Sequence, residues 1–221
     1  MLCVFDVNET LLDVAALDDF FVDLTGDATA RQEWFDLMIH TALTLTAAGG
    51  YRPFGEIAMA CLQPIATAHG RAATPEQQTE LGALLGSLPA HPEVAGALGR
   101  LHDAGIRIVT LTNSVPAVAE AQLANAGLTG LVDRAYSADR VERLKPAREP
   151  YRLVLESEQV DPADAILIAA HGWDTAGAAS VGMGTAFVSR DGRFPLPAAD
   201  RPGLMATDIA DVAEQLLNRQ R

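Results

Sequence analysis

The chain alternates short apolar runs with polar loops and helical patterns. The runs are mostly apolar without strict alternation, which is typical of strands covered on both faces. A loop and then a helical pattern follow each run, and this order indicates an α/β fold with a mainly parallel sheet. The predicted strands cover residues 2–5, 106–111, 165–170 and 185–188, with a weaker candidate at 133–137.

The interval from residue 14 to residue 88 breaks this rhythm, because it contains no convincing strand pattern. Helical stretches are predicted there at 18–24, 31–48, 54–69 and 75–85, separated by turn sequences such as GDAT and AAGGYRP. We therefore predict one α/β core domain made of residues 1–13 and 89–221. An all-helical domain of residues 14–88 is inserted after its first strand.

Composition narrows the classes of partner. The chain has 221 residues and a formal net charge of −13. This charge repels nucleic acid and anionic membrane surfaces, so neither is expected as a partner. No apolar run approaches the roughly 18 to 20 residues that span a bilayer. An anionic substrate would need a local positive site, and Lys145 is the only lysine in the chain.

The two cysteines predict neither a disulfide nor a metal site. Cys3 and Cys61 lie far apart in the sequence and fit no metal-ligand spacing. Cys3 also lies within an apolar run, where a cysteine behaves as a small apolar residue. We expect two reduced thiols and a cytoplasmic location.

Polar residues follow the predicted strands at the edge where parallel sheets bind ligands. Singly, each has an ordinary explanation: Asp6 can cap a helix, Thr112 can belong to a turn, and Lys145 can be a solvated surface group. Their joint appearance at four strand ends favours a functional site. These residues are Asp6, Asn8, Thr10, Thr112, Asn113, Ser114, Lys145, His171 and Asp174.

The order of these segments resembles that of the haloacid dehalogenase superfamily. FDVNETLLD resembles the first superfamily motif, TLTNS the second, KPAREPY the third and AAHGWDTAGAAS the fourth, so the resemblance spans essentially the whole chain. The third and fourth segments look most like those of type II 2-haloacid dehalogenases. The resemblance implies a Rossmann-like, doubly wound α/β core, a helical cap that closes over the site, and a homodimer.

The resemblance also implies roles for the site residues. Asp6 would attack a small 2-haloalkanoic acid, a haloacetate-like anion, and form a covalent ester. Lys145 would keep Asp6 ionised and attract the anion, and Asp174 would activate water with His171 as a helper. The expected catalytic set is Asp6, Thr10, Lys145, His171 and Asp174. The expected substrate-binding set is Asn8, His40, Thr112, Asn113, Tyr151 and Trp173.

Asn8 separates two kinds of chemistry within the superfamily. Its phosphatases use a second aspartate at this position to protonate the leaving alcohol, and such acid–base help is worth about 10²–10⁴ in rate. An amide cannot do this, whereas a halide leaves as a stable anion and needs no proton. No metal or other cofactor is therefore predicted. A Mg²⁺-dependent phosphatase and a non-catalytic anion-binding protein remain alternatives.

The chain departs from the type II pattern at several positions. Many type II enzymes have an aromatic residue where Asn8 stands, a serine at Ala169 and an asparagine at His171. They also use a cap arginine; Arg31 comes too early for it, which leaves His40 as the nearest polar candidate. The cap aromatics that could line a small apolar pocket, suited to short haloalkanoates, are Trp34, Phe35, Tyr51 and Phe54.

Overall fold

The structure is a computed structural model that describes residues 1–190 and 192–219. Its sheet has the strand order β3-β2-β1-β4-β5-β6, and all neighbouring strands are parallel. The order reverses at β1, as in doubly wound α/β folds, so the predicted fold class is confirmed. The strands are β1 (Leu2–Phe5), β2 (Arg107–Thr112), β3 (Arg134–Ser137), β4 (Ala165–Ala169), β5 (Gly184–Val188) and β6 (Leu204–Ala206).

Helices connect the strands and form the inserted segment. Four of them lie between residues 14 and 88: α1 (Asp18–Thr25), α2 (Ala30–Ala47), α3 (Phe54–Ala68) and α4 (Pro75–Gly86). The core contains α5 (Val94–Asp103), α6 (Pro116–Asn125), α7 (Arg148–Glu158), α8 (Gly172–Ala179) and α9 (Ile209–Arg219). The bounds in the insert agree with the predicted helices to within about two residues, which is the usual uncertainty of helix ends.

Both faces of the sheet are covered, as the apolar strand patterns predict. Cys3 and Phe5 of β1 belong to a core that includes residues of α5 and α9, whereas Leu2 and Val4 belong to a second core with residues of α7 and α8. The alternation of side chains along a strand produces this division. The sheet is therefore buried, and only its strand ends are available for polar chemistry.

The insert packs around an aromatic centre. Trp34 of α2 is fully buried and donates its indole N–H to the carbonyl of Ala58 on α3 at 2.9 Å. Phe21 of α1 packs against the same indole, with ring centroids 5.1 Å apart. Residues 14–88 contain helices and turns and no strand. The division of the chain into a core domain and a cap domain is consistent with these bounds and stays a prediction.

Strand β6 has no counterpart among the predicted strands. It is three residues long, and its sequence LMA follows a stretch rich in proline and alanine that carries no strand pattern. It pairs with β5 at the edge of the sheet, far from the predicted site. Among the residues that the structure describes, no helix is long and apolar enough to cross a membrane.

Candidate active site

The carboxyl ends of β1, β2 and β4 meet at one edge of the sheet. Phe5 pairs with Thr110 of β2 and with Ile168 of β4. The backbone amide of Asp6 continues the ladder by donating to the carbonyl of Ile168 at 3.0 Å. Asp174 reaches the same edge from the first turn of α8. Residues far apart in sequence are thus brought together by strand order.

Lys145 lies between two buried carboxylates. Its Nζ is 2.8 Å from Asp6 Oδ1 and 2.6 Å from Asp174 Oδ2, and it donates a third bond to the carbonyl of Leu111 at 2.9 Å. The three ammonium donors are therefore all used. The lysine side chain is 1% exposed, so little water screens these contacts.

The second oxygen of the Asp6 carboxylate has two donors of its own. Thr10 donates to Oδ2 at 2.7 Å, while its hydroxyl oxygen accepts from the amide of Ala170 at 2.9 Å. His171 Nδ1 is 3.2 Å from the same Oδ2. A carboxylate oxygen accepts about two hydrogen bonds, so Oδ2 is saturated whereas Oδ1, bonded to Lys145 alone, keeps one lone pair free.

His171 is held by a second carboxylate that sequence reasoning missed. Its Nε2 lies 2.7 Å from Glu9 Oε2, and Arg193 donates to Glu9 Oε1 at 2.7 Å. The rings of Phe35 and Trp173 stack on the two sides of the imidazole, with centroids 5.8 and 5.0 Å from it. We use the name charged cluster for six of the ionisable residues at this edge: Asp6, Glu9, Lys145, His171, Asp174 and Arg193.

Within the charged cluster, Asp6 and His171 each stabilise the charged form of the other. Burial alone would raise the pKa of Asp6, but the Lys145 charge and the contact with His171 outweigh it and hold that pKa well below its usual range. Burial alone would lower the pKa of His171, but hydrogen bonds to Asp6 and Glu9 raise it to about 9. In its protonated form the imidazole is a hydrogen-bond donor, and the expected role of His171 as a helper of the base stays a prediction.

The pKa of Asp174 is shifted in the opposite direction to that of Asp6. Burial and the neighbouring Asp6 charge raise the pKa of Asp174, although Lys145 opposes the shift. Tyr151 donates its hydroxyl to Asp174 Oδ1 at 2.6 Å, and burial together with the Asp174 charge raises the pKa of Tyr151 well above its ordinary value. The two carboxylates therefore differ: Asp6 stays ionised easily, and Asp174 accepts a proton more readily.

Three residues that are expected to bind substrate form hydrogen bonds to other groups of the protein. The Asn8 carbonyl accepts from Gln122 Nε2 at 3.0 Å. The Thr112 hydroxyl accepts from the amide of Ser114 at 3.2 Å, and the Asn113 carbonyl accepts from the backbone amide of Lys145 at 2.8 Å. Asn113 therefore holds the loop that carries the lysine. The donor groups of Asn8 and Asn113 are not used in these bonds.

The structure does not place His40 at the site. Its side chain is exposed, because the buried face of α2 runs through Trp34, Met38 and Ala42 and His40 points away from that face. The structure therefore does not bring His40 together with the other residues predicted for the site. Arg31, which stands too early in the sequence for the expected cap arginine, lies closer to the site than His40. Its guanidinium is 3.9 Å from the Glu9 carboxylate.

Glu9, Arg193 and Arg31 form the part of the site that the motifs did not reveal. Glu9 has a positive φ of 62°, which non-glycine residues rarely adopt, so the turn after Asp6 directs its side chain in an unusual way. Arg193 is 184 residues away in the chain from Glu9. Only the position of Glu9 between Asn8 and Thr10 could have drawn attention to it.

A cavity of about 430 Å³ lies between the insert and the core. Its wall includes Trp34 and Phe35 of α2, Phe54 of α3, and Asn8 and Gln122 of the core. We call it the apolar cavity. Tyr51 does not line it and instead donates to Asp139. A separate cavity of about 350 Å³ is lined by Trp173 and also by Phe35.

The donor set does not suit a magnesium ion. Mg²⁺ requires oxygen ligands at about 2.0–2.1 Å in near-octahedral geometry. The oxygens of Asp6 and Asp174 that face each other are both bonded to the Lys145 ammonium, and Asn8 is turned toward Gln122. Within residues 1–190 and 192–219, no group of three or more His, Cys, Asp or Glu side chains could hold a metal ion.

Comparison with known proteins gives a family and a set of relatives. The family model described as haloacid dehalogenase-like hydrolase matches residues 1–182. The chain is 27% identical over 190 residues to (S)-2-haloacid dehalogenase 1 from Pseudomonas sp. (strain CBS-3), covering 85% of this chain and 84% of that protein.

Solved structures agree with the fold. The L-2-haloacid dehalogenase from Xanthobacter autotrophicus has a TM-score of 0.91 at 23% identity, with 99% of each chain covered. The structure of that enzyme with chloropropionic acid covalently bound has a TM-score of 0.90 at 22% identity, covering 98% of this chain and 99% of that one. At these identities the likeness establishes the fold.

Proposed function

The chain belongs to the haloacid dehalogenase-like hydrolase family, and from this premise we propose that it hydrolyses the carbon–halogen bond of a 2-haloalkanoic acid. The reaction proceeds through an ester on Asp6 and yields a 2-hydroxy acid and a halide ion. The curated relatives named as (S)-2-haloacid dehalogenases support this proposal.

One observation carries the choice of reaction within the family. Two residues after the nucleophile stands an amide, Asn8, whose carbonyl is fixed by Gln122 at 3.0 Å. Neither Asn8 nor Gln122 can protonate a leaving alcohol, whereas a halide needs no proton. The donor set around Asp6 and Asp174 likewise favours a reaction in which the lysine supplies the positive charge.

In the first step Asp6 displaces the halide. Oδ1 is the attacking oxygen, because it keeps a free lone pair while Oδ2 accepts bonds from Thr10 and His171. A bond forms between Oδ1 and carbon 2 of the substrate, the carbon–halogen bond breaks, and the halide leaves with the bonding electrons. Asp6 loses its negative charge on forming the neutral ester.

In the second step water hydrolyses the ester at the Asp6 carboxyl carbon. Asp174 accepts the water proton, for which its raised pKa suits it. Negative charge develops on Oδ2, where the Thr10 hydroxyl and the protonated His171 already donate. Donors oriented before the reaction are the main source of such stabilisation. The intermediate then collapses with cleavage of the bond between the Asp6 carboxyl carbon and Oδ1. Oδ1 leaves as the hydroxyl oxygen of the 2-hydroxy acid and takes up the proton held by Asp174, and the water oxygen remains in the regenerated Asp6 carboxylate.

The charges of the cluster also favour the covalent intermediate formed from an anionic substrate. Lys145, His171 and Arg193 balance the three carboxylates, so the cluster is close to neutral although the chain carries −13. Formation of the ester removes one negative charge. The substrate carboxylate then faces a cluster with one uncompensated positive charge, which favours the intermediate.

The test is halide release from purified protein supplied with chloroacetate and 2-chloropropionate. We expect release without added metal, unchanged by EDTA or Mg²⁺, and an adduct on the peptide that contains Asp6 when the reaction is quenched early. Single turnover in H₂¹⁸O should place the label in Asp6. Absence of halide from folded protein, or Mg²⁺-dependent cleavage of an aryl phosphate instead, would overturn the proposal.

A cytoplasmic location and a homodimer complete the proposal. Cys3 and Cys61 are both buried and free, which supports a reducing compartment. Measurement of the mass in solution by light scattering tests the dimer. If ligands stabilise the protein thermally but nothing is turned over, a non-catalytic anion-binding role replaces the enzyme role.

A further inference from the structure

Two arginines that follow β5 contact the turn that carries the nucleophile. Arg190 Nη2 donates to the backbone carbonyl of Thr10 at 3.0 Å, and Arg193 Nη2 donates to Glu9 Oε1 at 2.7 Å. The backbone amide of Arg193 donates to the carbonyl of Arg190 at 2.6 Å, so the chain turns between them. We call these two residues the arginine turn. It therefore holds two consecutive residues of the loop after Asp6.

The arginine turn is itself fixed on two sides. Arg190 donates to the carboxylate of Glu93, the residue before α5. Beyond Arg193, the backbone packs so closely on α8 that a Cβ atom added at Gly172 would overlap the backbone of Leu196. Both arginine side chains are mostly buried. These contacts restrict where the two guanidinium groups can lie.

Each arginine is connected to one of the two groups that contact Asp6 Oδ2. The Thr10 hydroxyl donates to this oxygen at 2.7 Å, and Arg190 holds the carbonyl of the same residue. His171 Nδ1 lies 3.2 Å from the oxygen, and its Nε2 lies 2.7 Å from the Glu9 carboxylate that the other arginine holds. Two separate sets of contacts thus lead from the arginine turn to one oxygen atom.

The donors to Oδ2 have different effects on the two proposed steps. While the ester forms, Asp6 loses its negative charge, so the hydrogen bonds to Oδ2 become weaker. While water adds to the ester, Oδ2 is the carbonyl oxygen and becomes negative again, so the same bonds become stronger. Displacement of these donors should therefore slow hydrolysis of the ester without slowing its formation.

We propose that Arg190 and Arg193 are positioning residues for the hydrolysis of the ester on Asp6. Arg190 acts through Thr10, and Arg193 acts through Glu9, so each affects the reacting atoms by way of another residue. The arginine turn lies beyond the four segments that resemble the superfamily motifs. This inference rests on the proposed function and assigns control of its second step to this turn.

The first test is Arg193→Met with 2-chloropropionate at pH 7, where His171, with a pKa of about 9, keeps its proton. Halide release gives kcat and KM, and mass spectrometry after an acid quench gives the fraction of Asp6 present as ester. We expect kcat to fall about tenfold, less than the roughly 10²–10³-fold that follows outright loss of an oxyanion donor. KM should fall as well, and the ester fraction should rise, because kcat/KM reports formation of the ester and not its hydrolysis.

Arg31→Met is the matched control for the lost charge. The Arg31 guanidinium lies 3.9 Å from Glu9, beyond hydrogen-bond distance. Both variants remove one positive charge beside the same carboxylate, so both should lower kcat/KM to a similar extent by weakening attraction of the anion. Only Arg193→Met should raise the ester fraction. Arg193→Lys, which keeps a charged donor for Glu9, should recover most of the lost kcat.

Arg190→Met tests the other half of the turn. It should also lower kcat about tenfold and raise the ester fraction, because the Thr10 hydroxyl loses its alignment. Arg100→Met removes an arginine that donates to a backbone carbonyl at the exposed surface, that of Ala210, and should leave both quantities unchanged. Circular dichroism shows whether each variant is folded. If Arg190→Met does not fold, Arg190→Lys keeps the charge next to Glu93 and lacks the guanidinium fork.

Double variants separate the two sets of contacts. Thr10→Val removes one donor to Oδ2, so Arg190→Met should then lower kcat less than about twofold further. Arg193→Met should keep its full effect in Thr10→Val, because it acts through Glu9 and His171. A full effect of Arg190→Met in the Thr10→Val background would contradict its action through Thr10.

The outcomes distinguish this inference from the proposed function. If the native protein releases halide but the variants of the arginine turn lower kcat and kcat/KM equally without added ester, the positioning role is overturned and the proposed function stands. Unchanged kcat and ester fraction in both Met variants would overturn it as well. Absence of halide release from the native protein would overturn the proposed function, and this inference with it.

Discussion

The charged cluster and the apolar cavity are built in opposite ways. In the cluster, six ionisable side chains from distant segments are brought together, and each contacts an opposite charge. In the cavity, most of the wall is apolar, and Glu56 carries its one ionisable group. Phe35 belongs to both regions, because it stacks on His171 and lines the cavity.

This difference places the ionisable groups that the proposed reaction needs in the cluster. The cluster acts on the carboxylate, the carbon and the halogen that all 2-haloacids share. The wall of the cavity carries none of the six cluster residues. Substitutions in the cluster should therefore lower activity by the same factor for every 2-haloacid.

The largest expected effect is that of Asp6→Asn. Removal of the nucleophilic carboxylate should lower kcat at least about 10⁴-fold for chloroacetate and 2-chlorooctanoate alike. The measurement is halide release, with circular dichroism to show that the protein stays folded. Asp19→Asn, the same change at an exposed position of α1, should have little effect. A loss confined to one substrate would show that the two regions are not separate.

Lys145→Met should have the next largest effect, because it leaves two buried carboxylates without their shared cation. Breaking a buried ion pair in this way typically costs about 3–5 kcal/mol of unfolding free energy. Urea unfolding at pH 7 measures the loss. Arg107→Met, which removes a half-exposed partner of Glu158, should cost far less. Equal losses of unfolding free energy in the two variants would contradict the burial of Lys145 between the two carboxylates.

Glu9→Gln should shift the pH dependence. The His171 pKa, about 9 in the native protein, should fall when one of its two carboxylate partners becomes neutral. The protonated form, and the stability it adds, is complete below the unfolded pKa near 6.5 and is lost as pH rises through the folded value. The variant should thus lose activity at a lower pH than the native protein.

At pH 8.5 we expect kcat/KM of Glu9→Gln to be about tenfold below native, with near-native values at pH 6. The charges that face His171 come from Asp6 and Glu9, with Arg193 beyond Glu9. Glu158→Gln, a carboxylate paired with Arg107 outside the cluster, serves as the control. If kcat/KM of Glu9→Gln is lower by the same factor at every pH, Glu9 does not act through the protonation of His171.

The smallest expected effect is that of His40→Ala. Its side chain is exposed and contacts neither region, so kcat/KM should change less than about twofold for any chain length. Halide release with chloroacetate and 2-chlorooctanoate is sufficient to measure this. A tenfold loss would show that α2 presents His40 to substrate in a conformation that differs from the structure.

The sequence predicted the part of the site that depends on strand order. Asp6, Thr10, Lys145 and Asp174 follow strands whose carboxyl ends must meet in a parallel sheet, so their convergence could be predicted from the pattern alone. The helical phase of α2 could likewise have excluded His40, because Trp34, Met38 and Ala42 define the buried face.

The remaining features depend on contacts that carry no local pattern. Glu9 reaches His171 through a turn with positive φ, and Arg193 arrives from a loop beyond β5. Gln122 of α6 meets Asn8 across 114 residues of chain. The volume of the cavity depends on how the insert packs against the core, which neither composition nor spacing determines.

The single lysine has one further consequence, for the surface of the molecule. Every other basic side chain is arginine or histidine, so the only ε-amine in the chain is the buried Nζ of Lys145. Amine-directed reagents and lysine-modifying enzymes therefore find no ε-amine on the outside of the folded protein. Acylation of Lys145 should report unfolding, and the rate of labelling becomes a direct measure of how often the buried edge of the sheet opens.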